Sequence, residues 1–450
     1  MNIQELYKQK KMTAEEAVKM IKNGVEVWCG IAVPVPMALV NALIDREPEV
    51  EDITINQVVD IHPGLKWYSQ NRGSNIRIDC GYPSACRAKV VSGDFTLTPN
   101  RFCELPKIYT DENFRPMHVA MLMVTPMDKH GYCCLGLGAD ATLPIALNAA
   151  RKRREGDYRY MVLAQVNAQV PRSRGVNYIH ISEIDAIVEQ DQDLAVLPET
   201  KEASSEEMII GRYCADFVKD GSTIQLGIGS IPNAVARAFL ETHVKDLGIH
   251  SEMACDIMRD LWEAGIVTNR RKTFMPNRSI FTFAMGTRAL YDWIDDNPGI
   301  EFYPVDFVNN PHNIGKNDHL VSINACLEVD LTGQICSESM GWQQYTHPGG
   351  QLDFVDGAFQ SFGGVSIIAM KAVARPRSAS GRMISKVVPN ITPGGIITTP
   401  RSCADYVITE FGVAKIKGQS VRQRVTNMIN VAHPDFRDQL QSEARRRNLI

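Results

Sequence analysis

The chain has 450 residues, of which 44% are hydrophobic, and a formal net charge of −4 at pH 7. The length suits two domains with sizeable cores, and the charge argues against a general nucleic-acid-binding protein. Because no run of about 18 apolar residues is present, we expect no membrane-spanning helix.

The N-terminal segment and the cysteines indicate a cytoplasmic protein. The first 24 residues are charged and amphipathic, and they lack the apolar centre of a secretory signal. Eleven cysteines are scattered without a C-x-x-C spacing. We therefore expect reduced, mostly buried thiols and no metal site.

Helical and strand patterns alternate through the first half. Thr13 and Glu16 have the spacing of a capping box, and residues 1–24 are predicted to form one helix that ends at Gly24. Apolar spacing after Pro36 and Asp140 predicts two further helices. The predicted strands are 25–30, 53–59, 117–124 and 160–166. Such alternation is typical of a parallel sheet covered by helices.

A polar, acidic passage at 189–207 predicts a linker, with a domain boundary near residue 200. The second half repeats the alternation, with a helix expected over 206–219 and helices through the last fifty residues. Its predicted strands are 223–228, 281–283, 321–323, 364–370 and 396–398. We predict an α/β protein of two tandem open domains with mainly parallel sheets, 1–200 and 201–450.

One stretch of the second half, 222–234, has the features of a ligand-binding turn. A predicted strand runs into Gly227 and Gly229, which let backbone approach a ligand closely. Pro232 suits the first turn of a helix predicted over 233–242, and the N–H groups of such a turn can receive an anion or a polar ligand. Glu252 follows about twenty residues later, in a short apolar context.

By itself this pattern is equally consistent with an ordinary strand-to-helix turn. It lacks the third glycine of the dinucleotide fingerprint, so a nicotinamide-dependent dehydrogenase is a distant alternative. His250 and Glu252 also begin the H-x-E signature of zinc deaminases, but the P-C-x-x-C part of that signature is missing from the sequence.

Several motifs in order make the interpretation specific. They are DKHGYCCLGLGAD (128–140), AQVNAQVPRSRG (164–175), QLGIGSIPNA (225–234), LGIHSEM (247–253), SINACLEVDLTGQICSESMG (322–341), GGQLDFVDGA (349–358), VITEFGVAKIKGQSVRQRV (407–425) and AHPDFR (432–437). Together they resemble the acetyl-CoA hydrolase/transferase family of the class I CoA-transferases, which includes 4-hydroxybutyrate and butyryl-CoA:acetate CoA-transferases. The resemblance is densest from about residue 210 onward.

The resemblance implies a set of site residues. Glu252 lies in the family pattern L-G-[IV]-H-[ST]-E-M, at the position of the catalytic nucleophile. After Asp256 the chain departs from the family, because residues 257–260 stand where relatives often have a glycine. The implied CoA-binding residues are Gly229, Ser230, Ile231, Pro232, Asn233, Leu327 and Gly350.

The resemblance also implies a reaction and its partners. CoA would move from an acyl-CoA, such as acetyl-, butyryl- or succinyl-CoA, to a short acid such as butyrate, 4-hydroxybutyrate or itaconate. The exchange would pass through a glutamyl-CoA thioester, a form of covalent catalysis. Main-chain N–H groups at Gly349 and Gly350 would stabilise the oxyanion. We expect no tightly bound cofactor. We expect the protein to form a homo-oligomer.

Other residues have weaker indications. Cations are expected near the CoA phosphates, and the candidates are Arg270, Arg271, Lys272, Arg375, Arg377 and Lys386. The basic run at 151–154 is more typical of a solvated surface. His62, at a strand end before Pro63, either faces the acyl pocket or is a structural histidine.

Two alternative functions share most of these motifs. An acyl-CoA hydrolase would use the same glutamate with water as the acceptor, and it would release free CoA without an acceptor acid. A non-enzymatic CoA- or nucleotide-binding protein would bind the ligand without forming an adduct on Glu252.

Overall fold

The computed structural model describes residues 2–82, 86–198, 202–375 and 381–450. It divides into two compact units. The first comprises Met1–Pro198, Glu252–Asp256 and Ile280–Val308; the second comprises Glu199–Ser251, Ile257–Ser279 and Asn309–Ile450. Two short segments of the second half thus pack with the first unit. The domain boundary near residue 200 stays a prediction, because 199–201 lie outside the described residues.

Helices occur throughout the described chain. They are α1 Ile3–Lys10, α2 Ala14–Val18, α3 Met37–Asp45, α4 Arg87–Ser92, α5 Leu105–Thr110, α6 Thr142–Arg154, α7 Ser205–Ala215, α8 Ser230–Thr242, α9 Asp256–Glu263, α10 Arg288–Ile294, α11 Val305–Val308, α12 Pro311–Gly315, α13 Gln351–Gln360, α14 Val421–Val431 and α15 Pro434–Arg446. Among the described residues, no helix is long and apolar enough to cross a membrane.

The first unit contains a six-stranded, fully parallel sheet. Its strands have the spatial order β3-β2-β1-β4-β5-β6. They are β1 Glu26–Trp28, β2 Ile53–Val59, β3 Ile76–Tyr82, β4 Val119–Val124, β5 Met161–Val166 and β6 Ala186–Glu189. Every residue of β2, β4 and β5 is buried, as expected for a parallel sheet with both faces covered.

The second unit contains a six-stranded sheet that is parallel except at one edge, where β11 and β12 pair antiparallel. The spatial order is β8-β7-β9-β10-β11-β12. The strands are β7 Thr223–Leu226, β8 Gly248–Ile249, β9 Leu320–Asn324, β10 Val365–Ala369, β11 Tyr406–Thr409 and β12 Gly412–Lys415. Both units are therefore open α/β structures with mainly parallel sheets, as the sequence predicts.

Short two- and three-residue pairings also occur. Their strands are Tyr132–Cys134, Arg174–Gly175, Tyr178–His180, Met253–Ala254, Ser279–Phe281, Phe283–Ala284, Ile300–Phe302, Glu328–Asp330, Ile335–Cys336, Ser339–Met340, Gln343–Gln344, Val373–Ala374, Ile384–Ser385 and Val387–Val388.

The predicted single N-terminal helix is wrong. The capping box of Thr13 and Glu16 is confirmed, but it begins a second helix, α2. Between α1 and α2 the Met12 N–H donates to the Ile187 carbonyl at 2.9 Å. The chain here pairs with β6 instead of continuing as a helix.

Two predictions near the C-terminus are also wrong. Residues 396–398 form no strand, and the nearby pairing is a single bridge between Ile335 and Thr399. The last fifty residues are not all helical, because 406–415 contain the hairpin of β11 and β12. The chain becomes helical only from Val421 onward.

Candidate active site

The glycine turn after β7 is confirmed, and the helix after it begins earlier than predicted. Gly229 is the N-cap of α8 with φ 123° and ψ 178°, a conformation that is essentially restricted to glycine. Helix α8 starts at Ser230, three residues before the predicted start, and Pro232 lies in its first turn. The Asn233 N–H donates to the Gly229 carbonyl at 3.2 Å.

The turn lies where the strand order of the second sheet reverses. β7 lies between β8 and β9: the chain runs from β7 to β8 on one side, and then crosses to β9 on the other side of β7. In open α/β sheets, ligands bind outside the carboxyl ends of the strands at such a switch point. Gly229–Asn233 follow β7, and Leu327 follows β9. The topology therefore brings the two predicted CoA-binding segments to one edge.

A cleft of about 1050 Å³ lies along this edge, and we call it the sheet-edge cleft. Ile231 and Leu327 line it. Further lining residues follow β10 and β11, among them Lys371 and Glu410. The remaining lining residues are Ser204, Glu206, Glu328, Ser339, Met340, Gly341, Val373, Ala374, Arg375, Ile384, Ser385, Lys386, Thr392, Phe411 and His433. Its volume is of the order that small-molecule sites occupy.

A buried carboxylate adjoins the first turn of α8. Glu207 accepts a hydrogen bond of 2.6 Å from Ser230 Oγ, and Lys371 Nζ lies 3.0 Å from the same oxygen. Burial alone would raise the pKa of Glu207, but the hydrogen bonds from Ser230, the Ser204 backbone and Lys371 outweigh it and lower the pKa to about 2. Sequence reasoning missed Glu207 and Lys371 as site residues, although Ser204 and Glu207 have the capping-box spacing.

Two of the candidate cations line the sheet-edge cleft. Arg375 is exposed at the cleft. Lys386 donates from Nζ to the Cys326 carbonyl at 2.8 Å, and burial lowers its pKa. Their role as partners of the CoA phosphates stays a prediction.

The other candidate cations are placed elsewhere. Lys272 is buried and donates to the Ile249 and Arg278 carbonyls at 2.8 and 2.7 Å. Arg270 and Arg271 are exposed and do not line the cleft as described. Arg377 lies outside the described residues.

Gly350 is the N-cap of α13 and is buried, and it is not among the described residues that line the cleft. The neighbouring Gln351 side chain accepts from Ser337 Oγ at 2.9 Å and donates to Thr399 Oγ1 at 3.0 Å. Gly349 has φ 60° with open space on its Cβ side. The oxyanion-binding assignment of this glycine pair stays a prediction.

Glu252 belongs to the first unit. Its carbonyl accepts from the Thr282 and Phe283 N–H groups at 2.9 and 3.3 Å, and the residue is partly exposed. The next two residues, Met253–Ala254, pair in parallel with Phe283–Ala284. The backbone of this carboxylate is therefore fixed by strand pairing. Residues 257–260, where the sequence departs from the family pattern, lie in helix α9.

The residues before Glu252 belong to the second unit. Ser251 is fully buried, and its Oγ donates to the Leu226 carbonyl at 3.2 Å. His250 Nδ1 lies 3.3 Å from Asn317 Nδ2, and its ring contacts Phe274 and Phe354. Within the described part of the chain, no group of three or more His, Cys, Asp or Glu side chains could hold a metal ion.

His62 is buried in the first unit. Its Nε2 lies 2.7 Å from the Ala32 carbonyl oxygen, and its backbone N–H donates to Asp60 Oδ1 at 3.1 Å. Burial lowers the pKa of His62 and raises the pKa of Asp60. These contacts favour the structural interpretation of this histidine.

Two family models match the chain. The acetyl-CoA hydrolase/transferase N-terminal domain matches residues 1–198, and the C-terminal domain of the same family matches residues 286–444. Together they cover well over half of the sequence.

Curated relatives align over almost the whole chain. A succinyl-CoA:cyclohexane-1-carboxylate CoA transferase from Geobacter metallireducens is 44% identical, covering 99% of this chain and 97% of the relative. A 4-hydroxybutyrate coenzyme A transferase from Clostridium kluyveri is 41% identical, covering 99% and 100%. The crystal structure of RipA from Yersinia pestis is 38% identical, covers all of both chains and has a TM-score of 0.89. The chain therefore belongs to the acetyl-CoA hydrolase/transferase family, and within it to the CoA-transferases.

Proposed function

We propose that this protein moves CoA from an acyl-CoA to a short carboxylic acid, with Glu252 as the covalent nucleophile. The observation that carries the proposal is the sheet-edge cleft, because two of the three predicted CoA-binding segments, represented by Ile231 and Leu327, line it at a switch point. Arg375 and Lys386 supply positive charge to the same cleft, as a ligand with several phosphates needs.

The chemistry proceeds in two balanced half-reactions. The Glu252 carboxylate attacks the thioester carbonyl and gives a mixed anhydride, and the CoA thiolate leaves. The thiolate then attacks the glutamyl carbonyl, which forms the glutamyl-CoA thioester and releases the first carboxylate. An acceptor acid reverses both steps. The thioester is exchanged and not hydrolysed. Because the first carboxylate leaves before the acceptor acid binds, the overall kinetics are ping-pong.

The chain connectivity supports Glu252 as the nucleophile. Glu252 follows Ser251 directly. The Ser251 Oγ donates a hydrogen bond to the carbonyl of Leu226, the last residue of β7. The glycine turn begins at the next residue, Gly227. One peptide bond therefore separates the proposed nucleophile from a side chain anchored at the start of the turn.

The acid substrate is proposed from the relatives. Relatives are named for cyclohexane-1-carboxylate, 4-hydroxybutyrate and butyrate. We propose a short monocarboxylate such as butyrate or 4-hydroxybutyrate as acceptor, with itaconate to be tested beside them. We also propose that the protein acts in the cytoplasm as a homo-oligomer, which light scattering of the purified chain would test.

Intact-protein mass spectrometry tests the mechanism. Incubation with acyl-CoA should add the mass of CoA less one water to the parent and to a Glu263→Gln control, because the released acid carries away one carboxylate oxygen of Glu252. The Glu252→Gln variant should gain no mass. An adduct that persists in Glu252→Gln would refute the assignment. In the same mixtures, free CoA released without an acceptor acid would identify the alternative, a hydrolase.

A further inference from the structure

A tryptophan projects into solvent at the rim of the sheet-edge cleft. Ser339–Met340 and Gln343–Gln344 pair antiparallel, with Met340 opposite Gln343. Gly341 and Trp342 therefore form a two-residue hairpin turn, and Gly341 has φ 58°, as the first position of such turns favours. Trp342 is 88% exposed, which is unusual for so large an apolar side chain.

One face of the indole is held by a second turn. A side chain at Gly394 would overlap the Trp342 ring, so the ring lies directly against that glycine, whose φ is 84°. The Gly395 N–H donates to the Thr392 carbonyl at 2.7 Å and closes this turn. Thr392 is anchored in turn by Glu328, which accepts from its N–H and its hydroxyl, each at 2.8 Å. The indole thus packs on the backbone of this turn and is otherwise exposed.

The residues around the indole line the cleft, and Trp342 itself lies beside them. Met340, Gly341, Glu328 and Thr392, which build and anchor the two turns, all line the sheet-edge cleft. Met340 and Ile384 are themselves half exposed. An exposed aromatic ring with apolar neighbours therefore lies beside a cleft that also contains the cations Lys371, Arg375 and Lys386.

We propose that Trp342 is the stacking platform for the adenine ring of CoA. An aromatic face beside positive charge is the arrangement that binds a base together with its phosphates. CoA carries an adenine and phosphates at one end and the reacting thioester at the other. The inference rests on the proposed function, since it assumes that CoA is the ligand of this cleft.

A truncated substrate gives the sharpest test. Trp342→Ala should lower kcat/KM about tenfold with acyl-CoA, the size expected for one lost stacking contact. The same variant should match the parent with acyl-pantetheine, which has no adenine to stack. The kcat/KM of Trp342→Phe with acyl-CoA should lie between those of the parent and Trp342→Ala. Phe362→Ala, which removes another exposed ring of the second unit, should match the parent with both substrates.

Binding of 3′,5′-ADP supplies a readout independent of turnover. This fragment should quench the fluorescence of the parent, and the quenching should be lost in Trp342→Phe. Its Kd, measured by calorimetry, should rise about tenfold in Trp342→Ala. This measurement needs no catalysis. It therefore tests whether Trp342 stacks on the adenine even if the parent transfers no CoA and the proposed function fails.

Three results would overturn the proposal. The first is an unchanged Kd for 3′,5′-ADP in Trp342→Ala. The second is an equal loss of kcat/KM with acyl-CoA and acyl-pantetheine, which would indicate a general structural defect. The third is dissociation of an oligomer in Trp342→Ala with 3′,5′-ADP binding intact, which would make a second copy of the chain the occupant of this surface.

Discussion

Ser230 Oγ and Lys371 Nζ meet the same carboxylate oxygen of Glu207, at 2.6 and 3.0 Å. This three-residue contact joins α7, the first turn of α8 and the segment after β10. A carboxylate beside a helix N-terminus is electrostatically favourable, and here it also fixes Lys371 at the wall of the sheet-edge cleft. Glu207 therefore holds the side chain of Ser230, the first residue after the glycine turn, in the absence of any ligand.

Replacing Glu207 should weaken the fold in a pH-dependent manner. The pKa of Glu207 is lowered to about 2, whereas an unfolded glutamate titrates near 4.3. Its stabilising contribution is therefore complete above the unfolded pKa and is lost as pH falls through the folded pKa. Glu207→Gln should lose about 2–3 kcal/mol of unfolding free energy at pH 7. Solvent around the half-exposed Lys371 weakens its ion pair with Glu207 and so reduces this loss. The free energies come from urea titrations.

The same titrations at lower pH check the sign. The difference between parent and Glu207→Gln should shrink between about pH 4.5 and pH 2. The exposed neighbour Glu206→Gln is the matched control and should change stability by less than about 0.5 kcal/mol. A difference that stayed constant with pH would show that the carboxylate charge is not what stabilises this contact.

Gly229 should be irreplaceable because of its backbone and not because of crowding. No atom lies within 4 Å of a Cβ built on Gly229 or Gly227, but only Gly229 has a positive φ, of 123°. Gly229→Ala should therefore strain or shift the first turn of α8, at a cost of about 1–3 kcal/mol. We expect a raised KM for acyl-CoA in Gly229→Ala and near-parent kinetics in Gly227→Ala. Equal kinetics in both variants would contradict this explanation.

Ser251 should act as a positioning residue for Glu252. Ser251→Ala removes the hydrogen bond to the Leu226 carbonyl and should cost about 1 kcal/mol of stability. If Glu252 is the nucleophile, kcat should also fall about tenfold with KM for acyl-CoA little changed, since small displacements of a reacting group are costly.

A buried serine in the same sheet separates the two effects of that substitution. Ser322→Ala removes a 2.7 Å hydrogen bond from Ser322 Oγ to Gln225 Oε1 and a 3.0 Å hydrogen bond that Ser322 Oγ accepts from Asn324 Nδ2, so it should cost at least as much stability as Ser251→Ala. Its kcat should remain at the parent value. A comparable fall of kcat in both variants would mean that the loss comes from a softened sheet and not from the aim of Glu252.

His62 should make the protein sensitive to acid. Burial lowers its pKa, so below about pH 6.5 the unfolded chain binds a proton that the folded chain does not. Stability should therefore fall with decreasing pH, by at most about 1.4 kcal/mol per pH unit. His62→Gln keeps a donor for the Ala32 carbonyl and should flatten the profile between pH 6.5 and 5. Asp60 interacts electrostatically with His62, so the difference between the two profiles reports the titration of this pair.

Local patterns predicted much of the architecture. Strand β2 has the predicted bounds of 53–59, because it is a continuous apolar run in a sheet covered on both faces. The capping box at Thr13 and the glycine turn before α8 were equally readable, since each depends on residues a few positions apart. The motifs around Glu252 and Gly350 identified the family.

Long-range pairing was not predictable in this way. The break between α1 and α2 depends on Ile187, which lies far along the chain. Lys371 enters the site through an ion pair with Glu207, and no local motif marks either residue as a partner. In the sequence Trp342 is one aromatic residue in a polar loop, and only the structure shows that it lies in a hairpin turn and packs against Gly394.

The segment 280–308 limits how this enzyme can be recombined with its relatives. Its strand Ile300–Phe302 pairs with Arg174–Gly175, and the Ala139 N–H donates to the Thr282 carbonyl at 2.9 Å. Gly175 is packed so closely on Phe302 that no side chain would fit. A chimaera joined at residue 198 would leave these contacts to a foreign segment. Domain shuffling among CoA-transferases of this kind should therefore succeed only when 252–256 and 280–308 travel with the N-terminal piece.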